Sequence, residues 1–279
     1  MARSKIVLQF MAVAGSLLLL LASCSPEKKI ASKYVKEHKG TGILILPLYK
    51  LQKDNLTISY DTNVKYTPDQ FDSIAWYQSY YVQHVSDSVF LTTFTNTFIN
   101  GLASAGYDVY VEDDSDVFLS LPDPKWVVQI GQISLNEEHK IEYRDMYSVE
   151  SGETYQQDYR TNQINLESWL DVSKANSPDK EVLYLEGYIK DKVKVKIGLN
   201  FESGGLGIVD LRDSLTLNDI YRMAEASGKK HAELLFDHFM NKYIAENLPS
   251  GLGPVEYYHY NRERNSFKRG SREKFEVVN

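Results

Sequence analysis

The sequence predicts an α+β fold, with a mixed or antiparallel sheet and helices packed on one face. Three observations carry that expectation. The middle of the chain holds several runs in which apolar and polar residues alternate at the two-residue period of a half-buried strand. On either side, segments beginning near Ser86 and at Leu217 place apolar side chains at helical spacing. The resulting order is strand, helix, several strands and then helices, which suits one layer of helices against a sheet.

Taken in order, Ile43-Leu44-Ile45-Leu46 reads as a buried strand closed by Pro47. Leu51 to His84 is a long aromatic-rich insertion containing Tyr60, Tyr66, Phe71, Trp76, Tyr77, Tyr80 and Tyr81. A helix follows from about Ser86. Ser86 or Asp87 can cap its free amides, and Val89, Leu91, Phe94, Phe98 and Leu102 supply an apolar stripe. Gly106 gives the left-handed stop that a helix end prefers, and Tyr107 to Val111 alternates as a strand. Trp126 to Leu135 and Ile141 to Val149 read as two strands separated by Asn136-Glu137-Glu138. Ile164, Leu166, Leu170 and Val172 share one face of the next strand. Val182 to Tyr188 and Val193 to Leu199 are expected as a hairpin around Lys190-Asp191, with Lys194 and Lys196 on its wet face. Two final helices are expected, a short one from Leu217 and a longer one after Gly228, ending before Pro249.

Composition narrows the class. The chain has 279 residues, of which 43% are hydrophobic and 25% charged, enough for a core and unlike collagen, simple disorder or a multi-pass membrane protein. A net charge of −7 argues against nucleic acid as a partner. The single cysteine, Cys24, leaves no internal disulfide and no CxxC site.

That cysteine has a telling context. Arg3 and Lys5 precede an apolar run of 16 residues from Ile6 to Leu21, the pattern of a secretory leader. As a helix the run would span about 24 Å, short of a hydrocarbon core of about 30 Å. The closing Leu21-Ala22-Ser23-Cys24 resembles the lipobox of bacterial lipoproteins. The resemblance implies lipid on the Cys24 sulfur, cleavage after Ser23 and acylation of the new amino terminus. Such acyl chains together would hold the protein to a membrane. In lipoproteins of this kind an aspartate after the cysteine often marks inner-membrane retention, whereas serine, here Ser25, permits passage to the outer membrane. Ser25-Pro26-Glu27-Lys28-Lys29 lacks the acidic run used for surface export, so the periplasmic face of the outer membrane is expected, with the cell surface as the alternative. In addition, Gly42 to Glu112 loosely resembles the periplasmic lipoprotein domains of envelope assembly factors, through its strand, helix and Leu102-Ala103-Ser104-Ala105-Gly106 turn into Tyr107-Asp108-Val109. That resemblance implies the same fold class.

The expected organisation is a leader at 1–23, a lipidated tether at 24–40, one α+β domain at 41–250 carrying the aromatic insertion at 51–84, and a basic tail at 251–279. The tether reads as a solvated spacer because its five lysines follow no apolar period. The tail holds Arg262, Arg264, Lys268, Arg269, Arg272 and Lys274 against Glu263 and Glu273, a composition for an interaction tail or plain disorder.

Sequence motifs for catalysis fail. There is no GxSxG, no HExxH and no phosphate loop; Gly204-Gly205-Leu206-Gly207 lacks the lysine. His231-Ala232-Glu233 echoes half of a deaminase motif without its cysteines. His231 and His238, two helical turns apart, could share a zinc with a third ligand, but surface histidines are far commoner. Glu112-Asp113-Asp114-Ser115-Asp116 lacks the spacing of a calcium loop and reads as a solvated turn. No catalytic residue, metal or cofactor is assigned. The binding candidates are Trp76, Tyr77, Tyr80 and Tyr81, whose amphipathic rings suit a partner chain or a sugar; the bland reading is that they cover the core. The function expected is that of a non-enzymatic, lipid-anchored accessory or assembly subunit of an outer-membrane protein complex, the alternative being a glycan- or envelope-ligand-binding lipoprotein.

Overall fold

Alternating strands with one dry face need a helical cover, and the computed structural model supplies one. It describes residues 25–57, 65, 67–147, 152, 154–200, 205–249 and 256–270, with side chains 71, 72, 155, 195–200 and 205–212 excepted. Contacts divide the described chain into two compact units: Thr41–Ala232, and the N-terminal segment to Gly40 together with the segment from Glu233.

The larger unit is built on β1 (Gly42–Leu46), β2 (Gln52–Asn55), β3 (Asp108–Val111), β4 (Lys125–Tyr147), β5 (Thr154–Lys174) and β6 (Lys180–Lys190). They form one mixed six-stranded sheet in the order β3-β1-β4-β5-β6, with β2 following β1 along the same edge of β4. β1 lies parallel to β3 and β4, whereas β4, β5 and β6 are antiparallel. Parallel strands need a crossover, and α3 (Asp87–Ala105) provides it between β1 and β3; α2 (Pro68–Tyr77) precedes it. The expected cap and stop hold: Ser86 Oγ accepts from the Val89 amide, and Gly106 adopts φ 102°.

Inward positions on β4 are Val128, Ile130, Ile133, Leu135 and Glu137, opposite Val172, Leu170, Ser168, Leu166 and Ile164 of β5. A bulge between Ile130 and Gln132 shifts the register by one residue, which keeps both apolar runs facing in. The outward face carries Gln132, Ser134, Glu167 and Glu186 together with the Trp169–Tyr184 ring pair. Phe90, Phe94, Phe98 and Leu102 of α3 are all fully buried. The α+β class with a mixed sheet is therefore the observed one.

Four expected elements differ. Trp126–Leu135 and, as far as it is described, the run from Ile141 are parts of one strand, β4, because Asn136, Glu137 and Glu138 pair in register with Asn165, Ile164 and Gln163. The expected hairpin at Lys190-Asp191 does not form. Asp191 is 1% exposed and accepts from the Asn162 amide at 3.0 Å and the Leu215 amide at 2.8 Å. β7 (Lys192–Asn200) leaves the sheet at that point and pairs with β8 (Gly205–Asp213) instead. The two final helices are one, α5 (Leu217–Asn247). Gly228 is there for close approach rather than as a stop: a Cβ at that position would strike the Phe94 carbonyl oxygen of α3. Gly101 meets Ala232 in the same way, at 2.6 Å from an added Cβ. Finally, residues 24–40 are not a tether as far as they are described, since α1 spans Pro26–Glu37. α4 (Ser115–Leu119) and a preceding 3-10 turn hold the acidic run Glu112–Asp116.

The smaller unit joins α1, the second half of α5, and a hairpin of β9 (Tyr257–Asn261) and β10 (Ser266–Gly270). Tyr34 and His38 of α1 stack at 5.0 Å and meet Phe236 edge-on at 5.7 and 5.1 Å. β9 docks on α5 through side chains that imitate a strand. Asn241 Oδ1 accepts from the Tyr258 amide at 2.8 Å while its Nδ2 donates to the Tyr258 carbonyl at 2.7 Å. One turn earlier, Asp237 accepts from the Tyr260 amide at 2.9 Å and contacts His259 Nδ1 at 2.8 Å. The expected single domain at 41–250 thus ends within α5, and much of the expected tail at 251–279 is an ordered hairpin.

Two outcomes test this packing. Alanine in a helix interior ordinarily stabilises by about 1 kcal/mol over glycine, but Gly228→Ala should destabilise, by about 1–3 kcal/mol, since the struck atom is backbone; denaturant titration reads the sign. The second concerns His231, fully buried, with Nδ1 2.7 Å from the Ser227 carbonyl and Nε2 2.7 Å from Ser168 Oγ. A carbonyl only accepts, which assigns a ring proton to Nδ1; Nε2 faces the Ser168 hydroxyl, which also reaches the Leu185 carbonyl at 3.1 Å. Burial pushes the His231 pKa down to about 4 from 6.5. Its contribution is complete above the unfolded value and is lost as pH falls from about 6.5 toward 4, a span worth about 3 kcal/mol. In His231→Gln the loss of stability between about pH 7 and about pH 4.5 should be smaller than in the parent, although the variant starts less stable.

Candidate functional site

Glu137 determines where the aromatic insertion ends. Its parity with Ile133 and Leu135 puts a carboxylate on the dry face, where it is 0% exposed. A buried charge needs close donors. Four converge on it: Ser79 Oγ at 2.7 Å, and the amides of Tyr80, Tyr81 and Val82 at 2.9, 3.0 and 3.1 Å. These amides open the 3-10 turn Val82–His84, so the carboxylate caps it much as an aspartate caps a helix.

The segment before this clamp is ordered as well. Pro68 starts α2, and the Thr67 amide donates to Gln70 Oε1 at 2.9 Å. Asn55 Nδ2 of β2 donates to the Ala75 carbonyl at 2.9 Å, tying the last turn of α2 to the sheet edge. Lys53 reaches under Trp76, with Nζ 5.1 Å from the ring centroid. The same ammonium lies 2.7 Å from Asp87 Oδ1 and donates to the Val85 carbonyl at 3.0 Å.

Ordered in this way, the rings are nevertheless left in solvent. Trp76 is 41% exposed, Tyr77 80% and Tyr80 67%. Tyr81 is half-buried, and burial, with Asp191 nearby, raises its phenol pKa. Trp76 also borders a groove of about 680 Å³ whose wall includes Leu51, Gln52, Lys53 and Gln132. Gln132 Nε2 donates to Gln52 Oε1 at 2.8 Å and to Ser134 Oγ at 2.8 Å, fixing both amides at the rim. Three broad rings and a row of fixed amides can bind an apolar strip of a partner chain or the face and hydroxyls of a sugar.

Of the other expected residues, Cys24, Arg272 and Lys274, like Tyr60 and Tyr66, lie outside those described. Arg262, Arg264, Lys268 and Arg269 belong to the β9–β10 hairpin. Arg262 sits over the Phe236 ring at 5.0 Å, and Arg269 pairs with Glu256 at 2.6 Å. His231 has both ring nitrogens engaged and is not available as a ligand. Among the described residues no three His, Cys, Asp or Glu side chains converge in a way that could hold a metal ion. Glu137 and Lys53 were not singled out in the sequence. The signal for Glu137 was present: a carboxylate two and four residues beyond inward-facing Leu135 and Ile133 in an alternating run. No family model matches the chain, and no curated protein sequence matches it.

Glu137→Gln keeps one acceptor for four donors and turns an amide toward backbone N–H groups. It should destabilise by about 3 kcal/mol. Exchange of the Tyr80, Tyr81 and Val82 amides should accelerate more than that of α3 amides, as read by hydrogen exchange.

Proposed function

We propose that the chain is a lipid-anchored, non-enzymatic protein of the bacterial envelope, an accessory or assembly subunit that holds a partner protein of an outer-membrane complex. Cys24 is the anchor in this reading, at the periplasmic face, and Trp76, Tyr77, Tyr80 and Tyr81 are the grip. One observation carries the second half of it. The aromatic segment is ordered by a buried carboxylate, yet three of its four rings stay exposed. A backbone fixed before binding spares the entropy of ordering it when a partner covers its rings, which is what a recognition hot spot requires.

A second reading, binding of a glycan or other envelope ligand, is favoured by the groove beside Trp76 with its fixed amides from Gln52 and Gln132. The two separate by experiment. With a photo-crosslinking residue at Tyr77 or Tyr80 in the native envelope, a discrete protein adduct is expected. An equal yield from Val182, an exposed position in β6, would remove the protein-partner reading. With the crosslinking residue kept at Tyr77 or Tyr80, replacement of the other three of Trp76, Tyr77, Tyr80 and Tyr81 by alanine should abolish the adduct while leaving the far-UV spectrum unchanged. Retention of peptidoglycan or polysaccharide by the parent, lost in Trp76→Ala alone, would favour the glycan instead.

A further inference from the structure

We infer that the smaller unit is a docking surface for anionic lipid headgroups, and that it lies against the membrane at the point of anchorage; the orientation rests on the reading of Cys24 as the lipidated residue. Ser25, the next residue, is already part of the fold. Its Oγ accepts from the Lys28 amide at 3.4 Å as the cap of α1, and it lies 3.2 Å from the Tyr258 hydroxyl. Tyr258 in turn donates to Glu256 Oε2 at 3.0 Å, and Glu256 pairs with Arg269. The start of α1 and the open end of the β9–β10 hairpin are thereby stapled together. An anchor on Cys24 would have no slack with which to hold this unit away from the bilayer.

Charge separates the two units in the same sense. Residues 41–232 carry 17 Lys and Arg against 29 Asp and Glu, whereas residues 25–40 and 233–270 together carry ten against seven. At the start of α1 Lys29 is exposed and Lys28 half-buried; near the open end of the hairpin Lys268 and the ion-paired Arg269 are exposed, on opposite faces of β10. Basic side chains held at an anionic leaflet are attracted to it, an attraction screened within a Debye length. The hairpin therefore serves as a second attachment beside the acyl chains, and lipid headgroups are the occupant the charge fits.

The test uses the full-length protein isolated from membranes, with the mass of its N-terminal peptide reporting the acyl chains. It is reconstituted in vesicles of phosphatidylcholine with or without phosphatidylglycerol, carrying a fluorophore on a cysteine replacing Lys268 or, as a reference within the same unit, Arg264 at the far end of the hairpin. Quenching by headgroup nitroxides should be several-fold stronger at 268 than at 264, and stronger with phosphatidylglycerol than without. Equal quenching at both positions in protein whose acylation is confirmed overturns the docking surface and leaves the anchor intact. If the mass shows no lipid, the anchor reading fails and flotation of the unacylated protein decides. Salt-sensitive flotation with phosphatidylglycerol vesicles, weakened at least tenfold by K28E/K29E/K268E and less by K36E/K39E/R264E at the far ends of helix and hairpin, sustains the surface. Absence of flotation, or equal weakening by both triple variants, overturns it.

Discussion

A carboxylate on the dry face of a sheet must be matched donor by donor, and Glu137 is matched by the chain segment that leads into α3. The requirement runs in both directions. β4 can continue through Glu137 only because Ser79 and three successive amides replace the water this side chain would otherwise keep. Conversely, the segment after α2 could close over the sheet only by finding an acceptor for those amides. The long strand, the end of the aromatic insertion and the entry to α3 are consequences of one satisfied charge. Lys53 extends the arrangement, joining β2 to the first turn of α3 through Asp87 and carrying Trp76 on its ammonium.

The same device recurs where regular pairing stops. Asp191 takes amides from Asn162 and Leu215 and so redirects the chain from the edge of the sheet into a separate hairpin. Asn241 and Asp237 offer β9 a row of acceptors and a donor along one face of α5. In each instance a short polar side chain does what a neighbouring strand would have done. Each therefore fixes one register only, because donor and acceptor positions on a side chain cannot slide along a backbone.

This explains what could and could not be read from the sequence. Elements whose signal is local were legible: the β1 run of Ile43 to Leu46, the α3 stripe with its Ser86 cap and Gly106 stop, and the shared face of Ile164, Leu166, Leu170 and Val172. The misjudged places are those where a polar residue or a glycine has a distant partner. Glu137 looks like a break between strands until Ser79 is beside it, and Asp191 looks like a hairpin turn until it meets Asn162. Gly228 looks like a helix stop until the Phe94 backbone is packed against it. Residues 25–40 show no apolar period because only Ala31, Tyr34 and His38 are buried in that segment; a helix needs few buried positions when two of them are rings packed edge-on against Phe236.

The exposure of the aromatic segment has to be weighed in that light. Large apolar groups on a surface are ordinary when scattered, and exposure alone would argue little. Here, however, the fold commits a buried carboxylate, a buried serine and a partly buried lysine to holding the segment in place. Core cover would have turned the same rings inward, as α3 does with Phe90, Phe94 and Phe98. Tyr81 is half-buried, whereas Trp76, Tyr77 and Tyr80 are exposed, although the Tyr80 amide is itself a donor to Glu137. Polar contacts hold the backbone of the segment while three of its rings stay in solvent, the distribution expected of a platform that is completed by something outside the chain.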